Sequence, residues 1–350
     1  MTKLSDFAKY IDEKIENSKL NNVNYIGVDN LLPNRGGIKP SNYKPSEGNS
    51  TKFKKNDILI GNIRPYFKKI WLATFDGGCS SDVLCIRPNN LEYSSYLYSC
   101  LSQDSFFDYD MAGSKGSKMP RGDKNHIMNY QIDIHENYSN IGELIISIEK
   151  QIKRNNDMVQ KLQVLALDSF DYFSQENNEN NTVTLEDIII EKQKSPIQVN
   201  DALNYSGNIP FYTSGESILY TNKSLEDGFN IFLSTGGNAK VQSYYGKVSY
   251  STDTWCISAK NNLHFYLYGY LKHIEVQMDK LYFHGTGLKH LQKPIFLKSI
   301  IKIPKKELLE NYNAIVEPIY AQISKIEQNA INLQKIKNSL LPLLINQQLI

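Results

Sequence analysis

The chain is poor in the residues that hold small secreted folds and metal sites together. Its 350 residues include four cysteines, Cys79, Cys85, Cys100 and Cys256, with no C-x-x-C spacing among them. That argues against a disulfide framework and a zinc site, and suits a reducing cytoplasm. No apolar run reaches ~18 residues, so no membrane span is expected. The opening residues MTKLSDFAKYIDEK are charged and amphipathic, unlike a secretory signal. The histidines His126, His135, His264, His273, His284 and His290 show no metal-triad spacing, and no carboxylate lies between His284 and His290. Ser234–Lys240 (STGGNAK) and His284–His290 (HGTGLKH) lack the G-x-x-x-x-G-K-[ST] spacing of a phosphate loop. An N-P-P-[FY] tetrapeptide, a glycine-rich cofactor fingerprint and a Pro-Asp nuclease signature are all missing. No paired carboxylates stand near a lysine at useful spacing. The sequence therefore reads as one with no chemistry of its own. Net charge is small, 39 Lys and Arg against 37 Asp and Glu, so a nucleic-acid partner would need a local basic surface.

What is present is a long heptad seam. Ile141, Ile145, Ile148, Ile152, Val159, Leu162, Ala166, Ser169 and Phe173 recur at steps of three and four, interrupted only at Asn155. This spacing predicts one helix, roughly 50 Å long at ~1.5 Å per residue, packed along another helix. Its partner is Ile319, Ile323, Ile326, Ala330, Leu333, Leu340 and Leu344, with Lys337 off type. Ile148 matches Ile319, Ile152 matches Ile323 and Leu162 matches Leu333, all at an offset of 171. The same offset links SSDVLCI at Ser80–Ile86 to STDTWCI at Ser251–Ile257, and Gly116 to Gly287. Asp57–Ile60 resembles Asn230–Leu233 at an offset of 173. Ordered blocks at nearly one spacing indicate a duplication, two similar domains each followed by a long helix, and the unit is too long for a solenoid repeat. Asn155 either fixes the register of the seam or faces solvent.

In chain order, Leu4–Ile15 reads as a short helix and Asn24–Asn30 as a strand entering a loop. Leu31–Gly48, with Pro33, Gly36, Gly37, Pro40 and Pro45, reads as a long irregular loop. Strands are expected at Asp57–Gly61, Ile70–Thr74 and Val83–Ile86, with Gly77 and Gly78 turning between the last two. Glu92–Asp108 reads as a helix, Ala112–Lys124 as a glycine-rich basic loop and Tyr130–Ile134 as a strand. Glu176–Asn181 (ENNENN) is a polar linker. The second half opens at Val183–Ile190. Strands follow at Ile209–Ser214, Asn230–Ser234, Lys247–Ser251, Thr254–Ser258 and Ile300–Ile303. Thr235–Gln242 and His284–His290 read as loops and Leu263–His273 as a helix. Lys305–Gln347 is the second long helix, and Pro318 predicts a kink or break near Glu317.

The basic residues cluster in these loops. Arg64, Tyr66, Lys68 and Lys69 follow a strand, and Lys115, Lys118, Arg121 and Lys124 share a loop with Ser114 and glycines that permit close backbone approach. Arginine can read guanine with two hydrogen bonds, and lysine neutralises phosphate. In the second half the matched loops carry Lys240, with Asn238 and Gln242 as adenine-type readers, and Thr286, Lys289 and His290. Different side chains at matched places are what two domains reading different sequences would show. A solvated loop is the plainer reading of each cluster.

Taken together, these stretches resemble the specificity (S) subunits of type I DNA restriction–modification systems over the whole length. The residues that carry the resemblance are GNIRPYFKKIWLA (Gly61–Ala73), GGCSSDVLCIRP (Gly77–Pro88), IPFYTSG (Ile209–Gly215), FLSTGGNAKVQ (Phe232–Gln242), HGTGLKHL (His284–Leu291) and INLQKIKNSLLPLL (Ile331–Leu344). The order of these blocks, more than any one of them, is diagnostic. The resemblance implies a mixed α/β (α+β) fold class: two pseudo-two-fold-related target-recognition domains separated by an antiparallel coiled coil. The expected divisions are target-recognition domain 1 at 1–138, helix 1 at 139–175, linker at 176–182, target-recognition domain 2 at 183–304 and helix 2 at 305–350. Asn62, Tyr212, Ser214 and His284 join the candidate DNA contacts through the carrying stretches. The implied partners are double-stranded DNA with a bipartite target, two modification (adenine methyltransferase) subunits and motor-nuclease restriction subunits. The implied cofactor, S-adenosylmethionine, belongs to the modification subunit and none to this chain. The competing readings are a protein-interaction scaffold whose basic loops are incidental, and a metal-dependent nuclease.

Overall fold

A computed structural model describes residues 2–176, 181–202, 207–215 and 217–346. The middle of the expected linker, 177–180, and the expected helix end at Gln347 lie outside the described residues. The chain divides into two compact units, Met1–Lys150 with Gln334–Ile350, and Gln151–Leu333.

The first unit is built on an antiparallel four-stranded sheet in the order Ala8–Tyr10, Val83–Pro88, Ile58–Gly61, Ile70–Leu72. The central strand is apolar at successive positions because both faces of the sheet are covered. On one face Ile58, Ile60, Leu84 and Ile86 pack with Tyr96, Leu97, Leu101 and Phe106 from the helices Ser94–Leu101 and Asp104–Ala112. On the other, Leu59, Trp71 and Cys85 pack with Ile26, Phe53 and Cys79 of a second sheet. That sheet runs Lys14–Glu16, Asn49–Phe53, Gly77–Cys79, Tyr25–Ile26. Several expectations are corrected here. Leu4–Ile15 is one helical turn, Leu4–Phe7, followed by two short strands. Glu92–Asp108 is a 3-10 turn and two helices, parted at Ser102 and Gln103. Gly77 and Gly78 form a strand instead of a turn. A Cβ at Gly77 would stand 2.2 Å from the carbonyl oxygen of Asn24, so close strand approach is what calls for glycine there.

The second unit repeats this plan. Its sheet runs Ile189–Glu191, Thr254–Ala259, Phe229–Ser234, Val241–Tyr245, the same order and all antiparallel. Ile231, Leu233, Trp255 and Ile257 face the helical side, and Phe232 and Cys256 face Tyr212 and Tyr250. The repeat also begins earlier than the sequence blocks suggest. Leu4–Phe7 (LSDF) and Leu185–Ile188 (LEDI) are equivalent turns, each preceded by a strand. In each, an aspartate, Asp6 or Asp187, accepts the backbone N–H three residues before it at 3.0 Å. Their offset is 181, not 171, because the opening loops of the first unit are longer.

The long helices are Tyr138–Glu176 and Lys306–Ile345. In the first unit Lys337 donates to Glu149 at 2.9 Å, while Leu344 and Ile345 join the core around Ile141. In the second, Phe173 meets Tyr312 with ring centroids 5.5 Å apart, and Val159, Ala166 and Phe170 share a core with Val316, Tyr320 and Ile323. Within each unit the two helices thus run antiparallel. The second helix does not break at Pro318. That residue lies on the exposed face, and buried Val316 and Tyr320 on either side hold the helix to its core. The two off-type seam positions are buried, Asn155 at 8% exposure and Lys337 at 3%.

Candidate nucleic-acid interface

In the first unit, two loops far apart in sequence are joined at the end of the central strand. Ile63 pairs with Arg121 across an antiparallel bridge, and Arg64 N–H donates to the carbonyl of Pro120 at 2.7 Å. The stretch Asn62–Lys69 is thereby stitched to Ser114–Lys124. At its centre is a tight 3-10 turn, Pro65–Phe67, with left-handed residues at both ends, Arg64 (φ 53°) and Lys68 (φ 52°). Tyr66 and Phe67 are exposed at its apex, rings 4.8 Å apart.

The basic side chains divide into those with internal partners and those without. Lys68 is held by Asp104 at 2.7 Å, which Arg35 also grips, and these cations keep the Asp104 carboxyl below its ordinary range. Lys69 donates to the carbonyl of Val28 at 2.7 Å, and desolvation lowers its ammonium pKa. Lys115 pairs with Asp123 at 2.6 Å, and Arg121 with Asp82 at 3.1 Å. Lys124 lies over the ring of Tyr10 at 5.6 Å, and Ser114 Oγ donates to Met111. Lys118 is exposed and pairs with no carboxylate of the described residues. Asn62 is buried with Oδ1 unpartnered, and Arg64 has its Nε buried without a partner. Exposed ion pairs contribute little, so phosphates could displace those at Lys115 and Arg121. Beside this surface lies a cleft of about 630 Å³, lined among others by Lys39, Tyr43, Arg64, Phe67, Lys69 and Asp82.

The second unit shows the same joint. Gly236 pairs with His290, and Gly237 N–H donates to the carbonyl of Lys289 at 2.9 Å. The expected loop His284–His290 is a small hairpin, with Phe283–His284 pairing His290–Leu291, and Thr286 is exposed at its tip. Asn238 is exposed, and its carbonyl accepts from Ser234 Oγ at 2.7 Å. Lys240 Nζ donates to the carbonyl of Gly215 at 2.9 Å, and half-buried Gln242 is the second residue of the strand after the loop, opposite Phe232. His284 Nε2 lies 3.1 Å from the carbonyl of Leu281. Lys289 pairs with Asp279 at 2.9 Å, and Asp279 also accepts Ala239 N–H at 2.9 Å, so this carboxylate clips both loops together. Both donors hold its pKa down, Lys289 the more strongly. Ser214 Oγ donates to the carbonyl of Asp253. Tyr212 is corrected: it is 3% exposed, its ring stacked on Phe232 at 4.4 Å, and it offers no surface to a ligand. Its strand, Ile209–Tyr212, is covered on both faces, Phe211 packing with Ile197 and Ala202 and Tyr212 with Phe232 and Tyr250.

A cleft of about 370 Å³ lies in this unit too, lined by Thr213, Ser214, Ser217, Ser251 and Asp253 among others. Ser251 and Asp253 correspond to Ser80 and Asp82 of the first cleft, at the common offset of the repeat. Sequence reasoning does not single out these carboxylates, nor Arg35, Lys39 and Asp279. The Ser–x–Asp pairs are nonetheless visible inside the repeated block. Arg35 and Lys39 sit in a loop that the repeat does not match, so nothing in the sequence marks them.

Comparison with known proteins agrees with this geometry. Residues 177–338 match the family model described as type I restriction modification DNA specificity domain. No curated protein matches the chain. The fold is similar to the crystal structure of a type I restriction–modification S subunit from M. genitalium. The two share 13% identity at a TM-score of 0.63, over 97% of this chain and 94% of that one. The HsdS subunit from Thermoanaerobacter tengcongensis overlaps it with a TM-score of 0.37 at 15% identity, over 98% of this chain and 95% of that one. Residues 177–338 thus match the type I restriction modification DNA specificity domain, within a chain whose fold is similar to that of a type I specificity (S) subunit.

Proposed function

We propose that each unit reads one half-site of an interrupted duplex target through the surface where its two loops meet. The observation that carries this is the shared joint: Arg64 to Pro120 in one unit and Gly237 to Lys289 in the other. Equal backbones with unequal side chains are what two readers of different half-sites require. Direct readout comes from side chains at base edges, and the exposed lysines contribute phosphate contacts. The chain supplies recognition only. Adenine methylation with S-adenosylmethionine belongs to two modification subunits, and translocation and cleavage belong to motor-nuclease subunits, all in the cytoplasm. The modification subunits dock on the helix faces outside the internal seam. Each unit exposes apolar side chains there, Leu144 and Ile336 in the first and Ile315 and Leu165 in the second. Leu144 matches Ile315 and Leu165 matches Ile336, both at the offset of 171, so the repeat presents one docking surface twice. Two large apolar residues kept in water on each unit fit an interface better than a free surface.

The test is methylome sequencing of host DNA carrying this chain with modification subunits, beside a salt titration of DNA binding. The expected result is one interrupted motif and affinity that falls steeply with salt as counterions are released. Methylation without sequence preference, or DNA binding unaltered by neutralising Arg64, Lys115 and Lys118 together, would favour a protein-binding scaffold instead.

A further inference from the structure

The cationic side chains of the two joined loops in the first unit have internal partners or lie exposed, with one exception, Arg64. Three other arginines of this unit, Arg35, Arg87 and Arg121, each hold a carboxylate, on Asp104, Asp57 and Asp82 respectively. Arg64 holds none among the described residues, its Nε is buried without a partner, and it lines the larger cleft beside Phe67, Lys69 and Met119. Its backbone is left-handed at φ 53°, a conformation that L side chains rarely adopt. The matched residue in the second unit, Gly237, has φ 80° and makes the same backbone hydrogen bond. The joint is therefore satisfied by glycine, and in the first unit a strained arginine stands in its place. Strain kept where a strain-free residue serves the same backbone role points to use of the side chain.

We infer that Arg64 is the specificity-determining base reader of the first unit, presenting its guanidinium to guanine O6 and N7. This rests on the half-site reading above. Bidentate recognition needs a planar donor fork held in a set direction. Arg64 is held on both sides: its N–H donates to Pro120, and its carbonyl accepts from Phe67 N–H at 3.0 Å. Lys118 contrasts with it, exposed in a loop that turns through Gly116 at φ 96°, and it serves as a phosphate contact. Glycine at the matched place means that the second unit cannot read guanine from this position. Its specificity comes instead from side chains such as Asn238, exposed next to Gly237.

The test compares the assembled complexes of the parent chain, Arg64→Gly, Arg64→Lys, Arg64→Gln and Lys118→Ala by methylome sequencing and by salt-dependent binding. Arg64→Gly adopts the backbone of its counterpart, and co-purification with modification subunits reports folding for every variant. The three Arg64 variants should relax one guanine position in one half-site by roughly tenfold or more and leave the other half-site unchanged. Arg64→Lys should not restore it, because an ammonium lacks the fork. Lys118→Ala should keep the motif and reduce the salt slope by about one. If Arg64→Lys behaves as the parent, or all Arg64 variants keep the full motif with weaker binding, Arg64 contacts phosphate and the assignment is overturned. A parent complex with no bipartite motif removes the half-site reading, and the assignment with it.

Discussion

At the scale of single residues, the two units treat a carboxylate beside the loop joint in opposite ways, half-buried and paired in one and buried without a partner in the other. Asp279 is neutralised by Lys289 and by a backbone N–H. Its counterpart in the first unit, Asp110, is fully buried, and neither oxygen has a partner. Burial raises its pKa to about 6. A carboxyl whose folded pKa lies above its unfolded value stabilises the fold while protonated. That stability is complete below about pH 4 and is lost as pH rises through about 6, amounting to about 3 kcal/mol. Asp110→Asn should therefore be more stable than the parent at pH 8 and no better at pH 4, as read by denaturant unfolding at both values. Asp279 has the opposite sign: its lowered pKa contributes stability at neutral pH that is lost on acidification. The pair Lys337 and Glu149 tests burial of charge directly. Glu149 also accepts the Tyr98 hydroxyl at 2.9 Å and is partly exposed, whereas Lys337 is buried. Glu149→Ala, which strands the buried ammonium, should cost about 3 kcal/mol or more by thermal or denaturant unfolding. Lys337→Met, which leaves a half-wet carboxylate, should cost less.

At the scale of elements, the long helices are placed by small residues as much as by their apolar seam. Gly142 in the first helix lies against the start of the helix Ser94–Leu101, and a Cβ there would stand 2.6 Å from the backbone nitrogen of Tyr96. A backbone atom cannot rotate away, so Gly142→Ala must shift one helix against the other. The substitution should destabilise the first unit by roughly 1–3 kcal/mol, despite the ~1 kcal/mol that alanine gains over glycine in helix propensity. A variant as stable as the parent in denaturant unfolding would show that the contact gives way freely. The strands, by contrast, are plain in the sequence. Ile58–Gly61 and Phe229–Ser234 read as strands because consecutive β-branched and aromatic residues suit a sheet covered on both faces. The expected helix Leu4–Ile15 does not form, for a related reason. Its apolar residues fit a helical period, yet Ala8–Tyr10 is drawn into pairing with the edge of Val83–Pro88. Tertiary pairing overrides local propensity in a segment so short.

At the scale of the whole molecule, two units share one sheet order, one loop joint and one position for their clefts, and differ in the side chains displayed there. If recognition is divided between them, replacing residues 183–304 with the matching domain of a relative should change one half-site of the methylated motif and leave the other intact. A change in both half-sites, seen in the methylome, would contradict independent reading. The sequence alone determined that there are two copies and two long helices. Periodicity and a repeat offset survive in the linear order of residues, because core spacing is dictated by helix and strand geometry. Only the tertiary structure decided which cations are spoken for, that Tyr212 is core, and that Asn62–Lys69 meets Ser114–Lys124. Those outcomes depend on which carboxylate, carbonyl or ring comes within about 3–6 Å of a side chain, and such distances arise from long-range closure of the chain that no local pattern records.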